Sequence, residues 1–407
     1  MLRLLASLFF SILFGGSLFA QYCTQDNRFT EVEYFADNQI SSDLDVVYGS
    51  AQDYYGFVQD LKFDIYYPAD SVETLIERPF ILLIHGGSFL MGQKSDWEND
   101  CKEFAKRGFV AATMSYRLGY GYSSQTEQIQ AVYRAHQDAN AAMRHIVNEA
   151  ATYKIDTSWL FIGGGSAGAY TALNSAYVSQ SEWNGFFPGI SNLLGDLDTS
   201  GNNLTNTYSY KGIYNNWGAV LISAMQTNEM IPTISYHGMQ DGVVSIGYSQ
   251  NGYVGGSAII NDVLLQNNIC SELNVDSLGG HGIFGAGTTQ GDKLRTERAV
   301  CFYKSVFCSN CSSQYITEPL QANCATPNLI HLNHLDRIKV YPNPFQDKLN
   351  IEGLPSNYEL VLYNAIGSKI QQTKNINNID LPHLEIGVYL LQVKSGNGIY
   401  TIKLVKE

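Results

Sequence analysis

The segment Trp159-Leu160-Phe161-Ile162-Gly163-Gly164-Gly165-Ser166-Ala167-Gly168 decides the fold. A short apolar run ends in glycines, and Ser166 stands in a G-x-S-x-G frame that leads into a pattern with helical spacing. A serine on a sharp strand-to-helix turn projects its hydroxyl away from the sheet, and glycines two positions before and after it prevent backbone clashes. The pattern predicts a nucleophile at Ser166. The alternatives are a glycine-rich turn that binds nothing and a phosphate-binding loop, which would need the lysine of a P-loop.

A second glycine motif, His85-Gly86-Gly87-Ser88-Phe89, directly follows the apolar run Phe80–Ile84. An oxyanion hole requires backbone N–H groups that no side chain obstructs, and consecutive glycines after a central strand supply them. The N-terminus of the helix after Ser166 adds a further donor. The N–H groups of Gly86, Gly87 and Ala167 are therefore the expected oxyanion donors.

Short β-branched runs alternate with longer helical patterns from about residue 45 to residue 305, which predicts a doubly wound, mostly parallel α/β sheet. Continuous apolar runs are typical of strands buried on both faces. The predicted strands are Leu61–Tyr66, Phe80–Ile84, Val110–Ser115, Leu160–Gly163, Ala219–Ser223, Ile231–Tyr236 and Leu273–Leu278. The predicted helices are Asp96–Arg107, Thr126–Ala150, Ala167–Tyr177, Ala258–Asn268 and Lys293–Phe307.

Residues 181–216 interrupt this alternation, because they are rich in glycine, asparagine and aromatic residues without clear periodicity. Long insertions in α/β domains are usually functional or mobile. We interpret the segment as a cap or pocket wall of a catalytic domain over residues 21–324; the alternative is a surface loop.

Composition changes again after this domain. Residues 325–337 form a predicted linker, and residues 338–407 contain short β-type runs separated by glycine and proline. These runs predict a small C-terminal all-β sandwich domain.

The first 20 residues differ from the rest. A positive Arg3, an apolar stretch and a small residue at Ala20 predict a secretory signal peptide over residues 1–20. A retained membrane anchor is the alternative, although the apolar run is short for a span. After cleavage, no internal apolar stretch is long enough to predict an integral membrane span.

The composition excludes several classes of protein. Of the 407 residues, 45% are apolar and 15% are charged, so global disorder is excluded. The net charge of −13 opposes binding to a phosphate backbone, so we expect no nucleic-acid partner.

Seven cysteines lie in the mature chain, and four of them fall between residues 301 and 324. Export permits disulfides, which we expect to clamp the end of the catalytic domain and to leave at least one thiol unpaired. A zinc site at the C-x-x-C pair Cys308 and Cys311 is the alternative, but no second pair or suitably spaced histidine completes it.

The two glycine motifs together resemble the α/β-hydrolase superfamily, specifically its carboxylesterases and lipases. Three further stretches are similar to bacterial feruloyl and acetyl-xylan esterases: Asp64-Ile65-Tyr66-Tyr67-Pro68, Arg107-Gly108-Phe109-Val110 and Tyr116-Arg117-Leu118. The resemblance covers about residues 45–305. Ser88 stands where many relatives carry a third glycine, and Gly165 where an acidic residue or histidine is common.

This resemblance implies a triad in the chain order nucleophile, acid, histidine. The segment from His237 to Val244 resembles the acid loop of these hydrolases and implies Asp241 as the acid. A flexible glycine loop after the last strand implies His281 as the base. The other candidates for the acid are Asp196, Asp198 and Asp262, while His85 and His237 are expected to be structural.

The C-terminal domain also resembles a known family. Tyr341-Pro342-Asn343-Pro344-Phe345, Gly387-Val388-Tyr389 and the final Lys403-Leu404-Val405-Lys406-Glu407 are similar to the sorting domain of the type IX secretion system. This likeness implies a bacterium of the Bacteroidetes type, export across both membranes, and the type IX machinery as a partner. A polysaccharide-binding sandwich is the alternative.

These observations together predict a secreted or surface-attached serine carboxylic ester hydrolase that needs no metal or organic cofactor. Its expected substrate is a small acyl or aromatic ester, an esterified polysaccharide or a polyester. A serine peptidase of the same fold and a non-catalytic adhesion protein are the alternatives.

Overall fold

The computed structural model describes residues 22–23, 26–121, 124–249, 253–317, 324, 339–354, 357–364, 369–395 and 398–406. The predicted signal peptide over residues 1–20 and the predicted linker over residues 325–337 lie outside the described residues.

A nine-stranded sheet forms the centre of the fold. Its second strand is antiparallel to both neighbours, and all other pairs are parallel. The predicted mostly parallel α/β sheet is therefore confirmed. In spatial order the strands are β1 (Ile40–Gln52), β2 (Val58–Pro68), β4 (Val110–Met114), β3 (Arg78–Ile84), β5 (Ile155–Gly165), β6 (Tyr210–Asn216), β8 (Thr233–Gly238), β10 (Ser271–Asp276) and β11 (Gln314–Thr317).

Helices cover both faces of this sheet. The helices are α1 (Glu98–Lys106), α2 (Gln125–Asn148), α3 (Ala150–Tyr153), α4 (Ala167–Tyr177), α5 (Gln180–Phe186), α6 (Ile190–Leu194), α7 (Ser257–Gln266) and α8 (Thr289–Phe307). Helices α2, α4 and α7 pack in one apolar cluster, and α1 and α8 pack in another. Strand β3 divides its side chains between the two clusters, with Leu82 in the first and Leu83 in the second, as the two-residue repeat of a strand requires. Within the described residues, no helix has both the length and the apolar character needed to cross a bilayer.

The structure corrects the interpretation of residues 181–216. The segment contains two short helices, but its last seven residues form β6, a fully paired strand between β5 and β8. Conversely, the predicted strand Ala219–Ser223 does not join the central sheet. Only Ala219–Leu221, strand β7, is extended, and it pairs with β9 (Val254–Gly256) in a separate two-stranded sheet. The prediction failed because β6 contains polar and aromatic residues where the β-branched pattern was expected.

The C-terminal part of the chain forms two small antiparallel sheets around a cluster of its own. This arrangement agrees with the predicted all-β region. One sheet contains β13 (Lys348–Glu352) between β12 (Lys339–Tyr341) and β16 (Asn378–Asp380). The other contains, in spatial order, β15 (Lys369–Lys374), β14 (Tyr358–Asn364), β17 (Gly387–Ser395) and β18 (Gly398–Lys406).

Six cysteines form three disulfides: Cys23–Cys308, Cys270–Cys311 and Cys301–Cys324. The remaining cysteine, Cys101, is a buried thiol. Cys23–Cys308 and Cys301–Cys324 tie residues before and after the α/β region to helix α8 and its C-terminal end, and Cys270–Cys311 joins the residue before β10 to the segment after α8. The zinc alternative was wrong, because Cys308 and Cys311 belong to different disulfides.

Candidate active site

Ser166 lies on a strained turn between β5 and α4. Its backbone has φ 53° and ψ −120°, outside the region that non-glycine residues normally occupy. The neighbouring glycines make this turn possible. A Cβ atom on Gly164 would lie 2.2 Å, and one on Gly168 1.9 Å, from the carbonyl oxygen of Ile84, so strand β3 and the turn are in direct backbone contact.

His281 lies between Ser166 and Asp241. Its Nε2 atom is 2.8 Å from Oγ of Ser166, and its Nδ1 atom is 2.7 Å from Oδ2 of Asp241. The three residues follow β5, β10 and β8, whose carboxyl ends meet at one edge of the parallel sheet. A carboxylate accepts at Nδ1, so the ring carries its proton there and leaves Nε2 free to accept the serine proton.

The surroundings of Asp241 keep its carboxylate ionised. Burial acts to raise the pKa of Asp241, but hydrogen bonds from His237, His281 and two backbone N–H groups outweigh burial and hold this pKa well below its usual value. The two N–H groups belong to Val243 and Val244, which donate to Oδ1 at 2.8 and 2.9 Å.

His237 is fully buried beside this carboxylate. Its Nε2 atom is 2.9 Å from the carbonyl oxygen of Val244, which can only accept, so Nε2 carries the proton. Its Nδ1 atom then accepts from the hydroxyl of Ser257 at 2.7 Å. His237 is thus held in one tautomer by its neighbours.

The loop after β3 brings backbone N–H groups to Ser166. A Cβ atom on Gly86 would lie 3.3 Å from Cβ of Ser166, and Gly87 has φ +104°, which favours glycine. Among the hydrogen bonds formed by the described residues, none uses the N–H of Gly86, Gly87 or Ala167. Gly86 and Gly87 line the same cavity as Ser166, and Ala167 follows Ser166 in the chain, so the predicted donors have no competing acceptor among the described residues.

His85 anchors this loop. Its ring stacks on Tyr116 with centroids 4.3 Å apart, and its Nδ1 atom donates to the carbonyl oxygen of Gly86 at 2.8 Å. The Tyr116 hydroxyl donates to the carbonyl oxygen of His85 at 3.0 Å. Burial lowers the pKa of His85, so the ring is neutral. These contacts agree with the structural role expected for His85.

Two cavities meet at Ser166. The first, which we call the apolar chamber, has a volume of about 310 Å³. The second, which we call the polar chamber, has a volume of about 420 Å³ and includes His281 in its wall. We define the apolar chamber by Phe89, Ile129, Val132 and Tyr170, and the polar chamber by Trp97, Asp100, Trp217, Asp292 and Arg295.

Sequence reasoning missed the residues of the polar chamber. Trp217 follows the unpredicted strand β6, while Asp100 and Arg295 lie on helices whose charged residues have the spacing of ordinary solvent-exposed positions. An i, i+3 pair of Asp292 and Arg295 on α8 is the one local signal, and it is too common to single out a site.

Two protein families match the chain. Residues 63–240 match the family BD-FAE, and residues 339–407 match the secretion system C-terminal sorting domain. The first match covers the loop after β3, the Ser166 turn and strands β2 to β8.

Curated relatives include the neuroligin-like protein glit-1 of Caenorhabditis elegans, 31% identical over 28% of this chain. They also include the probable isoprenylcysteine alpha-carbonyl methylesterase ICMEL1 of Oryza sativa subsp. japonica, 23% identical over 44% of this chain. The matched segments span 16% and 41% of these two relatives, respectively.

Solved structures of esterase 2 from Thermogutta terrifontis are similar to the hydrolase region. The propionate-bound form is 20% identical, with a TM-score of 0.48, and the form phosphorylated by paraoxon is 20% identical, with a TM-score of 0.49. Each alignment covers 69% of this chain and 98% of the esterase.

The family matches confirm the resemblances seen in the sequence. The sorting domain indicates export to the cell surface or the medium. The fold is that of an α/β-hydrolase whose residues 63–240 are similar to the BD-FAE family, and residues 339–407 are similar to the secretion system C-terminal sorting domain.

Proposed function

We propose that the protein hydrolyses carboxylic esters through a covalent acyl-enzyme, with Ser166 as nucleophile, His281 as general base and acid, and Asp241 as the acid of the triad. The observation that carries the proposal is the unbroken hydrogen-bond chain from Asp241 through His281 to the Ser166 hydroxyl.

In the acylation step, Oγ of Ser166 forms a bond to the ester carbonyl carbon while its proton passes to Nε2 of His281. The tetrahedral intermediate collapses, the bond from the carbonyl carbon to the leaving oxygen breaks, and His281 gives its proton to that oxygen. Water then attacks the acyl-enzyme with His281 as base, which releases the acid and restores Ser166.

The charge of the intermediate falls on the former carbonyl oxygen. We assign its stabilisation to the N–H groups of Gly86, Gly87 and Ala167, which bind no other acceptor among the described residues. Such fixed donors stabilise a developing oxyanion without reorganisation. The ionised Asp241 stabilises the imidazolium that forms at the same moment.

Replacement of the nucleophile tests the proposal. We expect Ser166→Ala to lower turnover of p-nitrophenyl butyrate by at least ~10³-fold without loss of the fold. Ser179→Ala, which removes an exposed hydroxyl at the start of α5, is the matched control and should keep full activity. A fluorophosphonate probe should label the wild type and the control but not Ser166→Ala. Unchanged turnover in Ser166→Ala would reject the proposal.

Amide substrates test the peptidase alternative. We expect peptide p-nitroanilides to be cleaved far more slowly than the matched esters. A preference for the amides would replace the esterase assignment with a peptidase one.

A further inference from the structure

The loop that carries His281 has little regular structure of its own. Residues 277–287 lie between β10 and α8, and five of these eleven residues are glycine. Gly282, Gly285 and Gly287 all have positive φ angles. A glycine-rich segment loses much conformational entropy when it is fixed, so contacts from outside the loop must hold it in one conformation.

Arg295 on α8 supplies such contacts to the backbone of the loop. Its Nη1 atom donates to the carbonyl oxygens of Ile283 and Phe284, at 3.4 and 3.1 Å. Ile283 lies only two positions after His281 in the chain. Arg295 is 2% exposed, and a planar guanidinium that binds two successive carbonyl oxygens defines the path of the backbone between them. The backbone that follows His281 is therefore held from α8.

Asp292 binds both Arg295 and the end of the same loop. Its Oδ1 atom accepts from Nη2 of Arg295 at 2.6 Å and from the N–H of Gly287 at 3.2 Å. Both side chains are buried, and a buried ion pair adds little net stability, because desolvation offsets the attraction. The pair does fix the positions of the groups that it binds, which here are the two ends of the segment 283–287.

Trp217 connects the same guanidinium with the imidazole of His281. The guanidinium carbon of Arg295 lies 5.5 Å from the ring centroid of Trp217, within the range of a cation–π contact. The rings of Trp217 and His281 meet edge to face, with their centroids 6.3 Å apart. Arg295 is therefore linked to His281 by two routes, the backbone of the loop and the ring of Trp217.

We infer that Arg295 is a positioning residue for His281, because it holds the loop and the Trp217 ring so that Nε2 of His281 stays aligned with Ser166. The inference rests on the proposed ester hydrolysis. In that reaction His281 takes a proton from Ser166 and then gives it to the leaving oxygen, so the imidazole must reach two oxygen atoms in turn. A shift of about 1 Å in such a group can lower a rate by about 10²-fold.

Two butyrate esters with different leaving groups test the role of Arg295. p-Nitrophenolate departs without a proton, whereas ethoxide must receive one from His281 as it leaves. We therefore expect Arg295→Gln to lower kcat/KM roughly 100-fold for ethyl butyrate and only about tenfold for p-nitrophenyl butyrate. Because kcat/KM covers acylation but not the deacylation step that the two esters share, the difference reports on proton transfer to the leaving group.

Arg298→Gln is the matched control for this test. Arg298 lies three residues later on α8 and is also buried, but it forms its ion pair with Glu272 on β10. The control should lower the melting temperature and leave the ratio of the two kcat/KM values unchanged. Arg295→Lys keeps a positive charge beside Asp292 but loses the planar fork, so it should restore part of the ethyl butyrate activity that Arg295→Gln loses.

Two results would overturn the inference. One is an equal fractional loss for both esters in Arg295→Gln, because a loss of general stability lowers the amount of active enzyme and affects every substrate alike. The other is a change of the kcat/KM ratio in Arg298→Gln as large as that in Arg295→Gln. Either result leaves the proposed function intact as long as Ser166→Ala is inactive on both esters.

Trp217→Leu tests the second route and keeps Arg295 in place. The Nδ1 proton of His281, which Asp241 accepts, should give a downfield signal in the proton NMR spectrum, and His281→Gln identifies this signal by its loss. We expect the signal to broaden in Trp217→Leu and in Arg295→Gln but not in Arg298→Gln, because a loosely held imidazole exchanges its proton with water faster. A signal equally sharp in Trp217→Leu and in the wild type would contradict the inference even if Arg295→Gln does not fold.

Discussion

The Nε2 atom of His237 lies 3.4 Å from Oδ2 of Asp241, the carboxylate oxygen that also faces the imidazole of the candidate triad. Two histidines therefore converge on one oxygen. Hydrogen bonds to Ser257 and to the carbonyl oxygen of Val244 fix the ring of the buried His237. His237 therefore supports the carboxylate of Asp241 from a fixed position.

His237→Phe tests this support. Phenylalanine fills the space but donates no hydrogen bond, so Asp241 should hold His281 less firmly, and kcat should fall roughly tenfold. The control is His136→Phe, at a buried histidine that lines neither chamber and whose Nδ1 atom accepts from the indole N–H of Trp183 at 3.0 Å. It should lower the melting temperature but not kcat. An equal effect of both substitutions on kcat would show that His237 acts only through general stability.

Gly86→Ala tests the loop after β3. The added Cβ would lie 2.9 Å from the carbonyl oxygen of Gly165, so the loop must move and its N–H groups must leave the position beside Ser166. Loss of one oxyanion donor lowers kcat by about 10²–10³-fold in hydrolases, and we expect a similar loss of esterase turnover here. Gly185→Ala, where a Cβ meets nothing within 4 Å, should have no effect. Full activity in Gly86→Ala would remove this glycine from the oxyanion hole.

The stability of the protein should depend on the ionisation of Asp100. Burial raises the pKa of this carboxyl to about 7 in the folded state, against about 3.9 in the unfolded chain. The folded protein therefore binds the proton more tightly than the unfolded chain does. The contribution of Asp100 to the free energy of unfolding is complete below about pH 4 and is lost as the pH rises to about 7.

Asp100→Asn cannot ionise and should therefore be more stable than the wild type at pH 8, by between about 1 and 4 kcal/mol, and equally stable near pH 4. Urea unfolding at the two pH values measures the difference. A stability difference that is the same at both pH values would contradict the prediction.

The Cys23–Cys308 disulfide should stabilise the hydrolase region more than Cys270–Cys311 does. The first joins residues 285 positions apart and the second residues 41 apart. A cross-link over a longer loop removes more entropy from the unfolded chain. We expect replacement of Cys23 and Cys308 by serine to lower the free energy of unfolding by roughly 2–5 kcal/mol. Replacement of Cys270 and Cys311 by serine should lower it by about 1–2 kcal/mol less. Calorimetry under non-reducing conditions compares them, and a larger loss from the short loop would refute this ranking.

The sequence was sufficient to predict the strand-to-helix turn at Ser166 and the glycine loop after β3. Both depend on local rules, namely glycine where no side chain fits and a short apolar run before it. Because parallel strands present their carboxyl ends at one edge, the proximity of Asp241, His281 and Ser166 also follows from the order of strands. The roles of these residues in catalysis remain predictions.

Strand β6 could not be predicted from local pattern. Its Asn215 is fully buried, and its side chain is satisfied by the hydroxyls of Ser235 and Ser257 at 3.0 Å, so the polarity that indicated a loop is neutralised by partners distant in sequence. Asp100 could not be identified from the sequence for the same reason, because its hydrogen-bond partners lie on β6 and α8. Buried polar residues become visible only when the tertiary contacts are known.

The contact of Gly164 and Gly168 with the carbonyl oxygen of Ile84 has an evolutionary implication. It joins the serine turn and the oxyanion loop into a single block with no side chain between them, so neither part can change shape alone. Parts of the walls of the two chambers, in contrast, come from α1, α2 and α8, which lie outside this block. New substrate preferences can therefore arise by substitutions on these helices while the chemistry is inherited unchanged.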